Sequence, residues 1–370
     1  MKFKLKDIAD ITMGQSPKGQ SYNNKKDGKA FLQGRKTFGR MYPTIDTWTT
    51  EPKKIAKSGS VLMSVRAPVG DINIANDEIC IGRGLCSINA KNGNNRYLYY
   101  LLLYNKANII KKSSGTVFDS INKEQLEETI LNVHKDKEQS KIVSILNNID
   151  EKIELNSHTN NNLQELLLYK YNSYFQGKNA NGKLKEIVLK TNRTIKKDKI
   201  NKSLKYYPID VLPKNNIILQ DGKSIEEAQS SLIEFNKNEI LVGAMRVYFH
   251  RVCLTNNSGI TRNTTFVLKP KDEDYLYYSL LTLYQESFIN YANITSKGTT
   301  MPYAVWENVC SEFDIYIPTK EELEEFNIVC KAIINKMNIN QAENQKLEQI
   351  RDTLLPKLMN GEIDLDKIEI

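Results

Sequence analysis

The sequence has no apolar run long enough to cross a membrane. The longest, around Tyr97–Tyr104, falls far short of the roughly 18 residues that a span needs. Met1-Lys-Phe-Lys-Leu-Lys-Asp7 carries basic residues with no apolar segment behind them, so no signal peptide is read and the expected compartment is the cytoplasm. Cysteine is scarce. Cys80, Cys86, Cys253, Cys310 and Cys330 never form a Cys-x-x-Cys pair, and His134, His158 and His250 are isolated. That excludes a four-ligand zinc spacing and points to buried, reduced thiols. Also missing are a glycine-rich phosphate loop closed by Lys-Ser/Thr, a nucleophile elbow and a His-Glu-x-x-His helix. An amino-methylating enzyme needs an Asn/Asp-Pro-Pro-aromatic turn and a cofactor loop after a strand, and neither occurs. Asp71, Asp77 and Glu78 near Cys80 come nearest to an acidic cluster, and a hairpin turn accounts for them. The chain is therefore expected to have no catalytic residue, no metal ligand and no cofactor of its own.

What is present is a soluble composition: 40% apolar and 26% charged residues in 370, enough for more than one domain. The chain also repeats itself. Lys4-Leu-Lys-Asp-Ile-Ala-Asp-Ile-Thr12 is echoed by Lys183-Leu-Lys-Glu-Ile-Val-Leu-Lys-Thr191, and Ser60-Val-Leu-Met-Ser-Val-Arg66 by Ile240-Leu-Val-Gly-Ala-Met-Arg246. Tyr97-Leu-Tyr-Tyr100 returns as Tyr275-Leu-Tyr-Tyr278, and Ser114-Gly-Thr116 as Lys297-Gly-Thr299. Same order and near-constant spacing indicate a tandem duplication.

The ends of the halves repeat more tightly. Ile142, Leu146, Ile149, Ile153, Asn156, Asn160, Leu163 and Leu167 step by four and three, the seam pattern of a coiled coil. Phe326, Cys330, Ile333, Met337, Asn340, Asn344, Leu347 and Arg351 follow at the same interval. Each seam thus has two adjacent Asn layers, whose amides penalise a slipped register. Two helices of about 40 residues, near 60 Å each, are predicted to pair. An antiparallel pair sets Asn156 against Asn344 and Asn160 against Asn340. A parallel pair matches Asn156 with Asn340 equally well, and the antiparallel form is preferred because each helix closes one half. The alternative is two unrelated amphipathic helices, each packed on its own domain.

Between them lie two mixed globules with β-type runs such as Ser60–Val65, Ile72–Ala75, Ile240–Met245 and Thr264–Leu268. The predicted class is mixed α+β: a duplicated globule plus long helix, with the helices forming an antiparallel coiled coil of pseudo-twofold symmetry. The segments are 1–133, 134–178, 179–317 and 318–370, with Asn360-Gly361 as the final C-cap.

The formal charge is +8, and the positive excess lies in the globules rather than in the last segment. Lys18, Lys25 and Lys26 accompany Gln15, Ser16 and Tyr22, and Arg35, Lys36 and Arg40 follow. Lys111 and Lys112 precede Ser114 and Thr116. In the second globule Arg193, Lys196, Lys197 and Lys199 crowd the matching early loop, with Arg251, Lys297 and Thr299 further on. Such cations can hold phosphates while Gln, Ser and Tyr read base edges; any single Lys is more often a solvated surface charge, and it is the recurrence of the clusters in both repeats that points to phosphates. Arg66, Arg83, Arg246 and Arg262 sit beside β-type runs, where an ion pair, a carbonyl clamp and a phosphate contact all fit.

Lys57-Ser-Gly-Ser-Val-Leu-Met-Ser-Val-Arg-Ala-Pro-Val-Gly-Asp-Ile-Asn73, then Ile81-Gly-Arg-Gly-Leu85, resembles the specificity subunits of Type I restriction–modification systems. So do Ile350-Arg-Asp-Thr-Leu-Leu-Pro-Lys-Leu-Met-Asn-Gly-Glu-Ile363, and Gly14-Gln-Ser-Pro17 with Tyr22 and Phe31-Leu-Gln-Gly34. The second globule departs more: Val247-Tyr-Phe-His250 stands for Ala67-Pro-Val-Gly70, and Thr261-Arg-Asn263 for Gly82-Arg-Gly84. The resemblance implies that each globule reads one half of a split double-stranded DNA site, with the helices as spacer. It further implies two methyltransferase subunits that use S-adenosylmethionine on adenine, and motor-nuclease subunits that use ATP and Mg. A specificity subunit for a fused methyltransferase–nuclease and a non-DNA scaffold are the other readings.

Overall fold

The computed structural model of the chain describes residues 1–111 and 120–367. It forms two compact units, Met1–Ile153 with Lys346–Ile370 and Glu154–Gln345. Each unit therefore holds one globule and a portion of both long helices.

In the first unit the strand Lys2–Lys4 pairs with Ile130–Asn132, which ties the start of the globule to its end. A four-stranded antiparallel sheet runs in the order Ala9–Met13, Leu85–Ala90, Val61–Ser64, Ile72–Ile74. Val61–Ser64 is buried on both faces, so it reads as a continuous run rather than an alternation. The helix Asn95–Tyr104 packs here, its first turn capped by the Asn94 side chain accepting from the Tyr97 amide. Its buried stretch Tyr97–Leu102 shares a core with Val61, Met63 and Ile88 of the sheet. Ile142 and Leu146 of the first long helix and Leu355, Leu358 and Met359 of the second complete that core. A second sheet contains Lys29–Leu32, parallel to Ile79–Ile81.

The second unit repeats the main sheet in the order Val188–Thr191, Thr265–Pro270, Ile240–Gly243, Val252–Leu254, with the same antiparallel pairings. The duplication read from sequence echoes is thus present in the backbone. The second sheet diverges to three strands, Thr194–Ile195, Leu232–Phe235 and Gly259–Arg262. One alignment changes. Ser64 pairs with Leu85 as Gly243 pairs with Thr265, so Arg66 corresponds to Met245. Arg246 stands one residue later, in a turn that has gained a residue in the second unit. A sequence echo aligned without gaps cannot show such an insertion.

The long helices run Asp136–Phe175 and Lys320–Met359, and in each unit the segments they contribute are antiparallel. The Asn layers fall within the second unit. Asn156 Nδ2 donates to Asn344 Oδ1 at 2.9 Å and to Glu343 Oε2 at 2.7 Å. Asn340 Nδ2 donates to Asn160 Oδ1 at 2.8 Å, and Asn160 Nδ2 to the Met337 carbonyl at 3.0 Å. All four residues are buried, so each amide depends on its partner. Asn344→Leu alone leaves Asn156 short of an acceptor and is expected to cost about 1–3 kcal/mol. Asn156→Leu with Asn344→Leu is expected to recover that loss while loosening register. A urea titration of the two variants checks this, and equal stability would show that the amides are not coupled.

Gly361, at φ 79°, ends the second helix as a left-handed C-cap, with the Glu362 amide returning to the Lys357 carbonyl. All five cysteines are free and buried, and burial pushes the Cys86 thiol up to about 12, which keeps it inert. Among the described residues no helix is long and apolar enough to cross a membrane, and no group of His, Cys, Asp and Glu could hold a metal ion.

Candidate nucleic-acid interface

In the first unit three backbone segments converge because two glycines let them touch. A Cβ on Gly14 would stand 2.2 Å from the Gly82 carbonyl oxygen, and one on Gly84 2.7 Å from the Gln33 carbonyl oxygen. The Gly14 amide donates to the Leu85 carbonyl and the Gln15 amide to the Ile81 carbonyl, both at 2.9 Å. Arg83 N donates to Ser16 Oγ at 3.1 Å, and Ser16 Oγ donates to Gln33 Oε1 at 3.0 Å. Val65 N reaches the Gly84 carbonyl at 2.9 Å, which carries the network to Arg66. Gln15, Gln33, Arg66 and Arg83 are exposed on this network. None of these arginines has an ion pair among the described residues, so the carbonyl-edge placement leaves both guanidinium groups available. The result is a ridge of two amides and two cations on a rigid turn, a combination suited to phosphates and base edges.

Gln33 carries no charge, and in sequence it stands out only as part of Phe31-Leu-Gln-Gly34. Its signal is an amide at a strand end beside a Gly-Arg-Gly turn, and only the fold shows that they meet. Tyr22 plays an internal part: its hydroxyl donates to the Pro17 carbonyl and its ring lies 4.7 Å from Phe31. It shapes the loop that exposes Lys18, Lys25 and Lys26.

Other candidates are tied to carboxylates. Arg35 and Lys106 both bind Asp71, whose carboxyl burial pushes up but these two cations hold below the usual range. Arg35, Lys36 and Arg40 line a cleft of about 440 Å³ with Tyr99 and Arg351. Lys36 reaches Asp46 only at 3.8 Å, and Arg40 binds Glu348 of the second helix at 2.8 Å. Lys111 is exposed, while Lys112, Ser114 and Thr116 lie outside the described residues.

In the second unit Arg193 is bonded to Glu239, a carboxylate only 4% exposed. It neutralises a buried charge inside the domain and is not a free cation. Lys196, Lys197 and Lys199 are exposed, and Lys197 lines a cleft of about 570 Å³ with Lys202, Lys205 and Lys223. Two of that cleft's cations are occupied, Lys205 by Asp221 and Lys223 by Asp210. Arg262 closes a strand pair with Leu232 and keeps its buried Nε without a hydrogen bond. The backbones of Arg246 and Lys297 meet one loop instead: the Arg246 amide donates to the Pro302 carbonyl at 2.8 Å, and Lys297 bridges Tyr303, while the Arg251 guanidinium lies 5.5 Å from the Phe249 ring centroid. Thr299 is exposed beside them.

Residues 1–165 match the family model of the Type I restriction modification DNA specificity domain. The chain is 42% identical over 147 residues to a putative Type I restriction enzyme MjaX specificity subunit of Methanocaldococcus jannaschii, a match covering 39% of this chain. That match spans only about a third, 35%, of the relative's length. The MjaIX specificity subunit of the same organism is 24% identical over 371 residues, covering 85% of this chain and 80% of the relative. The crystal structure of a Type I S subunit from M. genitalium aligns over 97% of this chain and 96% of its own, with 16% identity and a TM-score of 0.61. That likeness shows a shared fold, mixed α+β with long helices. The resemblance read from the residues therefore holds.

Proposed function

We propose, from the premise that residues 1–165 belong to the Type I restriction modification DNA specificity domain family, that the whole chain is the sequence-reading subunit of such a system. It recognises a bipartite site in double-stranded DNA and directs partner subunits to it. The observation that carries this reading is the repeated sheet, which places an arginine-bearing turn beside the same strand pair in each unit. The chain itself catalyses nothing and binds no cofactor. Two methyltransferase subunits bring S-adenosylmethionine, motor-nuclease subunits bring ATP and Mg, and the complex works in the cytoplasm.

The helices support the two-partner part. Leu155 and Leu166 are 62% and 42% exposed on the first, spaced by about three helical turns and so on one face. Ile339 stands at the place in the second helix equivalent to Leu155, 61% exposed. Paired apolar residues kept in water at matching positions suit two copies of one partner. The same surface would serve a fused methyltransferase–nuclease, which co-purification distinguishes.

Expression with a methyltransferase subunit of the family, followed by genome-wide mapping of adenine methylation, tests the reading. A split motif that disappears when the chain is deleted is the expected result. A soluble complex that methylates without dependence on this chain would leave the scaffold reading instead, as would duplex binding insensitive to salt.

A further inference from the structure

The turn that has gained a residue in the second unit is built unlike its counterpart. Val247–Phe249 forms a single 3-10 turn bounded by Arg246 and His250, both left-handed at φ 52°. Non-glycine residues in that region cost on the order of 1–3 kcal/mol each and persist where surrounding structure holds them. Here the holding group is His250. Its ring is buried, with Nε2 2.8 Å from the Tyr284 carbonyl and Nδ1 3.1 Å from Glu286 Oε1, and it packs on Tyr284 at 4.3 Å. In the first unit the corresponding turn is shorter, exposes Ala67 and Pro68, and reaches positive φ at Gly70 without strain.

The second unit's turn lifts an aromatic side chain into solvent. Tyr248 is 51% exposed and backed by Phe249 at 4.9 Å between ring centroids. Phe249 is itself flanked by Lys214 Nζ at 4.1 Å and the Arg251 guanidinium at 5.5 Å. Alongside, Met245 and Lys297 both bridge Tyr303, and Tyr303 and Met301 are 48% and 53% exposed. Lys214, Arg246, Arg251 and Lys297 have no carboxylate within ion-pair distance among the described residues. Arg251 keeps two buried guanidinium nitrogens, Nε and Nη1, without a hydrogen bond. An exposed aromatic tip tilted against a second ring, strained into place and flanked by cations without a salt bridge among the described residues, fits a polyanion that offers flat apolar faces.

We infer that Tyr248 is a wedge: it enters a base step of the duplex bound by the second unit and partly unstacks it, while Lys214, Arg246, Arg251 and Lys297 hold the flanking phosphates. The inference rests on the DNA-reading proposal and deepens it, because it makes the two half-sites unlike in mechanism. The first unit has no aromatic side chain in the same turn, residues 65–70, to do the same.

The test uses the full chain with its methyltransferase and a duplex of the mapped motif, 2-aminopurine replacing one adenine at a time. With the wild-type chain, fluorescence should rise at the target adenine that each methyltransferase subunit flips, and at one further position confined to one half-site. Tyr248→Ala should abolish the rise at the further position and weaken binding about tenfold, leaving the salt dependence unchanged. Tyr248→Phe should keep both, since the ring and not the hydroxyl does the unstacking. Equal affinity for Tyr248→Ala, or a rise at the further position that survives it, overturns the wedge while DNA reading stands. A wild-type chain with no salt-dependent duplex binding overturns both.

Discussion

Replacing Arg351 by Leu is expected to destabilise the first unit by about 3–5 kcal/mol, because it strands a buried carboxylate. Asp150 is only 4% exposed, and Arg351 Nη1 donates to its Oδ1 at 2.9 Å while the Tyr100 hydroxyl donates to Oδ2 at 2.7 Å. Burial alone would pull the Arg351 guanidinium down, yet its bond to Asp150 holds it above its ordinary value. At the equivalent seam positions of the second unit stand Leu167 and Ile334, both buried in the apolar core. The repeat therefore contains its own control. Asp150→Ile with Arg351→Leu copies that apolar layer, leaving the Tyr100 hydroxyl to find another partner and the exposed Asp352, which Arg351 also binds at 2.9 Å, to solvent. It should recover most of the loss. Chemical denaturation of the single and double variants measures the difference. A single variant within 1 kcal/mol of wild type would mean that solvent reaches Asp150 and replaces the cation. The contrast also separates two roles. The Asn layers, alike in both helices, fix register but cannot tell one helix from the other. The ion pair occurs once and can.

Gly14→Ala is expected to remove recognition by the first unit while sparing the second. The new methyl would lie 2.2 Å from one backbone oxygen and 2.8 Å from two others, those of Ile81 and Leu85, so no side-chain rotation relieves it. The turn bearing Gln15 and Ser16 must part from the turn bearing Arg83, and the Ser16 bridge between them breaks. A loss of about a hundredfold in affinity for the motif duplex, near 2.7 kcal/mol, is the expected scale. Gly19→Ala is the control, since a Cβ there meets nothing within 4 Å. Footprinting of the two variants should show protection of one half-site fading in the first and intact in the second. Unchanged binding by Gly14→Ala would mean that the ridge does not touch DNA.

Much of the frame was legible in the residues because it depends on local periodicity. The four-three alternation from Ile142 to Leu167 and its recurrence from Phe326 pointed to helices, and adjacent Asn layers in both favoured pairing them over two unrelated amphipathic helices. The candidate site was legible by composition more than by position. Lys18, Lys25 and Lys26 are exposed as their loop-like sequence suggests. Arg193 looked like one of a basic cluster, yet it meets Glu239, a residue far along the chain that no local pattern connects to it. Arg35 is likewise taken up by Asp71. Gln33 is silent in sequence because an amide gains importance only from its neighbours. The strained turn at Arg246 was hidden by an inserted residue, which the echoed sequences aligned away.

By itself the sequence determined the duplication, the two long helices, their polar layers and the absence of a membrane-spanning run. These follow from spacing along one chain, which folding does not change. Tertiary structure decided that the helices run antiparallel in each unit, since an Asn at matching seam positions satisfies either direction until the flanking layers, Asp150 with Arg351 among them, meet. It also decided which cations are free. A charge is available to a ligand only if no opposite charge lies within a few ångströms, and that distance is set by how strands and turns distant in sequence are brought together.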